Sequence, residues 1–167
     1  MPSVLFVCTA NRFRSPLASA FFRKALDLSA MPGQWDVDSA GTWAFPNLSV
    51  LPAVSLIARK YDLDLVRHRS KPLTEALLAA QDLVLVMESG HREALHHEFP
   101  SAAERIHLLS QVVEDRMYDI PDLTGSLETI AEVGEELHDL IQKGLVNICD
   151  LALRLQGQGG GAGPGLS

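Results

Sequence analysis

Five residues from Ser3 to Val7 form a short run dominated by Val, Leu and Phe. Such a run predicts a strand buried on both faces. From Pro16 the spacing changes. Leu17, Phe21, Ala25 and Leu28 recur at intervals of four, four and three, while Arg23, Lys24 and Asp27 fall between them. This is an amphipathic helix, with Pro16 in the first turn, where its missing N–H costs nothing. Met31-Pro32-Gly33 ends it, and Gln34–Ser39 alternates as a second strand would. A loop follows from Gly41 to Leu51, then a helix over Pro52–Tyr61 and a polar connection through His68 and Ser70. A short helix is expected over Thr74–Ala80, a third buried strand over Asp82–Met87, a helix from Ser89 and a fourth strand over Arg105–Leu109. Ser110–Gly125 reads as irregular and acidic. Ser126 to about Leu155 reads as helical, with Gly134 and Gly144 as weak points.

Strands separated by helices imply parallel pairing through right-handed crossovers. The pattern therefore predicts a three-layer, doubly wound α/β domain with a four-stranded parallel sheet flanked by helices. Residues 1–155 are expected to form one domain, and the Gly-rich segment 156–167 a flexible tail. Ligands in such sheets bind beyond the carboxyl ends of the strands. Cys8 stands at the end of the first one.

Composition narrows the function classes. The chain has 167 residues and two cysteines, Cys8 and Cys149, too few for a disulfide framework. Cys149 falls on an apolar helical pattern and reads as core filler. No signal-peptide or membrane-spanning pattern is visible, so a cytoplasmic location without membrane attachment is expected. The formal net charge of −7 argues against a nucleic-acid partner. That charge is uneven: residues 1–30 carry +3, with Arg12 and Arg14 close behind Cys8. The histidines of the Ser89 helix, including His91, His96 and His97, read as surface residues and lack metal-ligand spacing, so no metal or other cofactor is assigned.

Cys-x5-Arg between a strand and a helix has a specific physical use. The intervening peptides curl so that N–H groups point inward as an anion nest at a helix N-terminus. Arg14 then returns beside Cys8, where its planar fork holds two oxygens of a phosphate. The same positive field favours the thiolate, the nucleophilic form. The leaving oxygen needs a proton donor, and the loop YDIPDL (Tyr118 to Leu123) offers two, Asp119 and Asp122. Position alone leaves both open.

VCTANRFRSP, Val7 to Pro16, resembles the phosphate loop of the low-molecular-weight protein tyrosine phosphatases, V-C-x-G-N-x-C-R-S-P. The likeness continues in order through DSAGTW from Asp38, HRSKPL from His68, QDLVLVM from Gln81 and DIPDLTGSLE from Asp119. It implies that Cys8 attacks phosphorus to form a phosphocysteine, while Arg14 and the loop Thr9, Ala10, Asn11, Arg12, Phe13 and Arg14 bind the phosphoryl oxygens. It selects Asp122 as general acid, gives Ser15 a hydrogen bond to the thiolate, and makes Asn11, Ser39 and His68 supports of the loop. The substrate it implies is a phosphorylated protein, most directly phosphotyrosine, or a small aryl phosphate. A monomer or weak dimer is expected.

Departures from the pattern are informative. Phe13 stands where many members carry a second cysteine, so their reversible protective disulfide is not expected here. Ala10 replaces a glycine, which would strain the loop if positive φ were needed there. Leu123 replaces a proline after the acid. Position 12 lines the pocket in the resembled family; it is apolar in tyrosine phosphatases and threonine in protein-arginine phosphatases, and Arg12 is neither. Trp43 and Phe45 are expected to supply an apolar wall for the substrate ring. The rival readings are a protein-arginine phosphatase, a weakly active or inactive phosphate- or phosphopeptide-binding module and, less favoured for want of two further cysteines, an arsenate reductase.

Overall fold

β1, Ser3–Cys8, is buried along its whole length and lies at the centre of the sheet. The computed structural model describes residues 1–31 and 33–159. Four parallel strands, β1, β2 (Asp36–Gly41), β3 (Leu83–Val86) and β4 (Ile106–Leu108), are ordered β2-β1-β3-β4. Alternation along β1 feeds both faces. Val4, Phe6 and Cys8 join a core with helices α1 (Arg14–Leu28) and α6 (Leu127–Gly159), whereas Leu5 and Val7 pack with α3 (Glu75–Ala79) and α4 (Ser89–Glu98). The remaining helices are α2 (Pro52–Lys60) and α5 (Leu109–Glu114), and a 3-10 turn spans Pro100–Arg105. No helix among the described residues is long and apolar enough to cross a membrane.

The strand order creates the site. The chain leaves β1 toward β2 on one side and later adds β3 and β4 on the other, so successive connections diverge at the carboxyl end of β1. Such a divergence opens a crevice. Cys8 closes β1 opposite Gly41, and α1 starts at Arg14.

Several boundaries differ from the sequence expectation. β2 begins two residues later than read, because Trp35 packs against the core before pairing starts. Within Ser110–Gly125, expected to be irregular, the first turns form α5, whose Val113 is buried; the helix ends at Asp115, left-handed at φ 55°. Gly134 and Gly144 do not interrupt α6. At Gly144 a Cβ would stand 2.4 Å from Val113 Cγ2, so the glycine lets α5 press against α6. The helix also runs on through Gln156–Gly159, part of the expected flexible tail, with Leu155 packed against the core. The rest of that tail, 160–167, lies outside the described residues.

Candidate active site

The loop from Thr9 to Phe13 is bound to its surroundings through its carbonyls. Thr42 N–H donates to Cys8 O (2.9 Å), Trp43 N–H to Thr9 O (3.0 Å) and Leu51 N–H to Arg12 O (3.2 Å). Among the described residues, the amides of Thr9 to Phe13 donate to none. A loop that spends its acceptors on the scaffold and keeps its donors is an anion nest.

Asn11 holds this shape. Its φ of 57° is left-handed, a conformation that Asn tolerates better than most residues. Its buried amide donates to Ser15 Oγ and Ser39 Oγ, both at 2.9 Å, and its Oδ1 accepts from Lys71 N–H at 3.0 Å. His68 Nε2 reaches the Asn11 carbonyl at 2.8 Å. Burial lowers the His68 pKa below its usual value, with the Asn11 contact and Asp38 opposing and Lys71 and Arg23 reinforcing. Ala10 is not among the positive-φ residues, so the strain expected there is absent: the left-handed turn falls on Asn11, whose side chain pays for it in hydrogen bonds. Phe13 caps the start of α1 and buries its ring in the core.

Cys8 Sγ lies 2.9 Å from Ser15 Oγ and opens onto a cavity of about 210 Å³. Ala10, Arg12, Phe13, Arg14, Leu51, Asp122 and Thr124 complete its lining. Arg14 is 1% exposed, and its Nη1 is taken by Ile120 O (2.7 Å) and Glu88 Oε2 (2.9 Å). Nη2 lies 3.4 Å from Thr9 Oγ1 and 3.6 Å from Asp122 Oδ2. One nitrogen is thus anchored behind the loop, and the remaining donors of the fork are free of that anchor. Arg12 Nε donates to Ser49 O (2.8 Å), fixing its stem at the cavity rim.

The two aspartates are separated by position. Asp122 lines the cavity with a half-exposed carboxylate. Asp119 instead accepts from Ser89 N–H at 2.8 Å, at the first residue of α4. Their loop reaches the site because Ile120 N–H donates to Met87 O at the end of β3 (2.9 Å) while its carbonyl accepts from Arg14.

Trp43 and Phe45 are not part of the cavity. They are 80% and 72% exposed on the loop after β2, and Phe13 and Leu51 supply the apolar lining instead. His91, read as a surface residue, is nearly buried: Nε2 lies 2.9 Å from Thr9 Oγ1 and 3.3 Å from Glu88 Oε2. Burial lowers its pKa, with Glu88, Asp119 and Asp122 opposing and Arg14 reinforcing. Sequence reasoning missed Glu88 and His91 as neighbours of Arg14. The available signal was Glu88 itself, the first charged residue beyond a buried strand, with His91 one helical turn later. Cys149 is buried in the core, which pushes its thiol up to about 11 and leaves it inert.

Gly41 is required by close approach. A Cβ there would stand 2.4 Å from Thr9 O and 3.1 Å from Asn11 N, both phosphate-loop backbone. Gly41→Ala is expected to lower Tm by roughly 2–10 °C, the overpacking cost spread over a domain of this size. It should also lower kcat/KM at least about tenfold, because the displaced backbone is the anion nest. Calorimetry and steady-state hydrolysis of p-nitrophenyl phosphate measure both.

A thiol and a buried guanidinium at the two ends of one amide-rich loop, at the carboxyl edge of a parallel sheet, define a phosphate-handling site of the cysteine-dependent type. Comparison with known proteins agrees. Residues 3–152 match the family model for low molecular weight phosphotyrosine protein phosphatase. A protein-arginine-phosphatase of Bacillus subtilis is 32% identical over 142 residues, covering 84% of this chain and 92% of the relative. The YwlE arginine phosphatase, solved as a mutant with a phosphorylated active-site serine, superimposes with a TM-score of 0.80 at 29% identity over 92% of this chain and 95% of that one. The tyrosine phosphatase Wzb from Escherichia coli, solved with sulphate, gives 0.77 at 28% identity over 89% and 99%. The chain belongs to the low molecular weight phosphotyrosine protein phosphatase family and is a protein phosphatase.

Proposed function

We propose that the protein hydrolyses phosphotyrosine in proteins through a phosphocysteine on Cys8, without a metal, in a reducing, cytoplasmic setting. The carrying observation is one cavity that holds Cys8, Arg14 and Asp122 together over unpaired loop amides. The Cys8 thiolate, held by the Ser15 hydroxyl, attacks phosphorus. The bond from phosphorus to the leaving oxygen breaks, and Asp122 gives that oxygen its proton. The Asp122 carboxylate then takes a proton from water, whose oxygen attacks the phosphocysteine and releases inorganic phosphate and the thiolate. Arg14 and the loop amides carry the charge spread over the equatorial oxygens. The phosphorylated serine in the YwlE mutant supports a nucleophile at this position.

Arg12 favours phosphotyrosine over phosphoarginine. A fixed cation at the rim opposes a second guanidinium and tolerates a neutral ring against Phe13 and Leu51. Phosphoarginine is the second reading, favoured by the similarity to the Bacillus subtilis enzyme. Matched phosphotyrosine and phosphoarginine peptides given to wild type and Arg12→Ile test the point. Wild type is expected to prefer phosphotyrosine, and Arg12→Ile to shift the kcat/KM ratio toward phosphoarginine about tenfold, the effect of removing one partly solvated like-charge contact. A wild-type preference for phosphoarginine would reverse the assignment.

A further inference from the structure

Two loops brace the phosphate loop from the β2 side, and their outer surface is unlike the rest of the molecule. Residues 42–51 are tied to it by Trp43 N–H, Leu51 N–H and Arg12 Nε, and residues 65–71 by His68 and Lys71 on Asn11. The loops are also joined to each other. Asn47 N–H donates to Ser70 O, Ser70 N–H to Leu48 O (both 2.8 Å), and Leu48 N–H to Ser70 Oγ (2.9 Å). A surface this firmly bonded is preorganised.

That surface displays Trp43 and Phe45, the only exposed Trp, Tyr or Phe side chains among the described residues, with Leu48 and Val66, the latter 76% exposed. Residues 42–51 contain no charged side chain, and 65–71 contain Arg67, Arg69 and Lys71 with no acid, the nearest in sequence being Asp64, whose Oδ1 accepts from Val66 N–H at 3.0 Å. Lys71 is paired with Asp38. Arg67 and Arg69 flank His68, whose ring touches the phosphate loop, and both are exposed. A chain with net charge −7 thus presents a local cationic and aromatic face beside its cavity, while Asp119 and Asp122 lie on the loop beyond Arg14. Clustered exposed apolar residues rimmed by charge mark an interaction surface, and complementary charge sets both orientation and encounter rate.

We infer that this face, built from Trp43, Phe45, Arg67 and Arg69, docks the acidic polypeptide segment flanking the phosphorylated residue of the substrate. The aromatics take an apolar side chain of that segment, and the two arginines take its carboxylates. The inference rests on the phosphatase reading but concerns residues outside the cavity.

The test uses three peptides with one phosphotyrosine and acidic, neutral or basic flanks, with p-nitrophenyl phosphate as the flank-free control. Wild type is expected to favour the acidic over the neutral flank at least about tenfold in kcat/KM, carried by KM and reduced by salt. Arg67→Glu/Arg69→Glu and Trp43→Ala/Phe45→Ala should erase most of that preference and leave hydrolysis of p-nitrophenyl phosphate unchanged. Because Arg69 also donates to the Val66 and His68 carbonyls, Arg67→Glu alone, expected to lose part of the preference, separates docking from loop shape. Equal wild-type kcat/KM for acidic and neutral flanks, or a preference that survives charge reversal, overturns the inference and leaves the phosphatase reading standing. If p-nitrophenyl phosphate is not hydrolysed at all, the phosphatase reading falls instead. The peptides' Kd values on the Cys8→Ser protein then decide docking: tighter binding of the acidic peptide upholds it, and equal binding overturns it.

Discussion

Cys8→Ser protein is expected to fold normally, bind inorganic phosphate, and hydrolyse p-nitrophenyl phosphate at least roughly 10⁴-fold more slowly than wild type, the scale on which loss of a nucleophile is felt. The substitution removes one polarizable atom and changes little else. Cys8 is 2% exposed at the end of the central strand, and a serine fits there and keeps a hydrogen-bonding partner in Ser15. The loop amides and Arg14, which would hold the phosphate, are untouched. What disappears is the sulfur nucleophile, because a serine hydroxyl gives up its proton far less readily than a thiol and is the weaker nucleophile. Phosphate affinity within a few-fold of wild type, measured by titration calorimetry, guards against misfolding as the explanation. Near-normal turnover would remove Cys8 from the mechanism.

The second large effect is at Asp122. Asp122→Asn is expected to slow hydrolysis of phosphotyrosine by a factor of roughly 10² or more, the usual worth of a positioned general acid. The loss should be smaller in the first step for p-nitrophenyl phosphate, whose leaving oxygen departs without a proton. Asp119→Asn separates the neighbours. Its Oδ1 receives the Ser89 amide at the start of α4, and asparagine keeps that acceptor while losing the charge, so the substitution should cost mainly stability at that helix end, about 0.5 kcal/mol. If Asp119→Asn gives the large kinetic loss and Asp122→Asn does not, the proton donor is Asp119. Leu123, beside Asp122, is 49% exposed. The restraint on this loop comes from Ile120, bonded to Met87 and to Arg14.

The alternation and the strand-end rule carried much of this from sequence. β1 and β3 are continuous apolar runs buried on both faces, so their pattern had one reading. Cys8, Arg14, Asn11, Ser39 and Ser15 are adjacent in the structure because the loop is local or lies in direct register: β1 and β2 pair Cys8 with Gly41 and Phe6 with Ser39. Contacts across the sheet were not legible in this way. Glu88 and the Ile120 carbonyl meet Arg14 from 74 and 106 residues away, and no periodicity in their own segments announces the meeting. His91 was misread for the same reason: on its own helix it follows a surface pattern, and its contact with Thr9 comes from 82 residues away. Trp43 and Phe45 were assigned to the cavity because aromatics suit a ring-binding wall. Leu51 and Phe13 line the cavity instead, and Trp43 and Phe45 are exposed outside it. α5 packs against α6 where Val113 meets Gly144, a contact that single-residue propensity does not contain.

The most direct test of covalent catalysis uses Asp122→Asn protein mixed with p-nitrophenyl phosphate and quenched in acid within one turnover. Nitrophenolate leaves without help, whereas hydrolysis of the intermediate has lost its base, so the phosphoenzyme accumulates. A burst of nitrophenol equal to the enzyme concentration is expected, with the phosphate mapped by mass spectrometry to Cys8. Phosphate mapped to His91 or any other residue, or a burst with no phosphoenzyme, would contradict it.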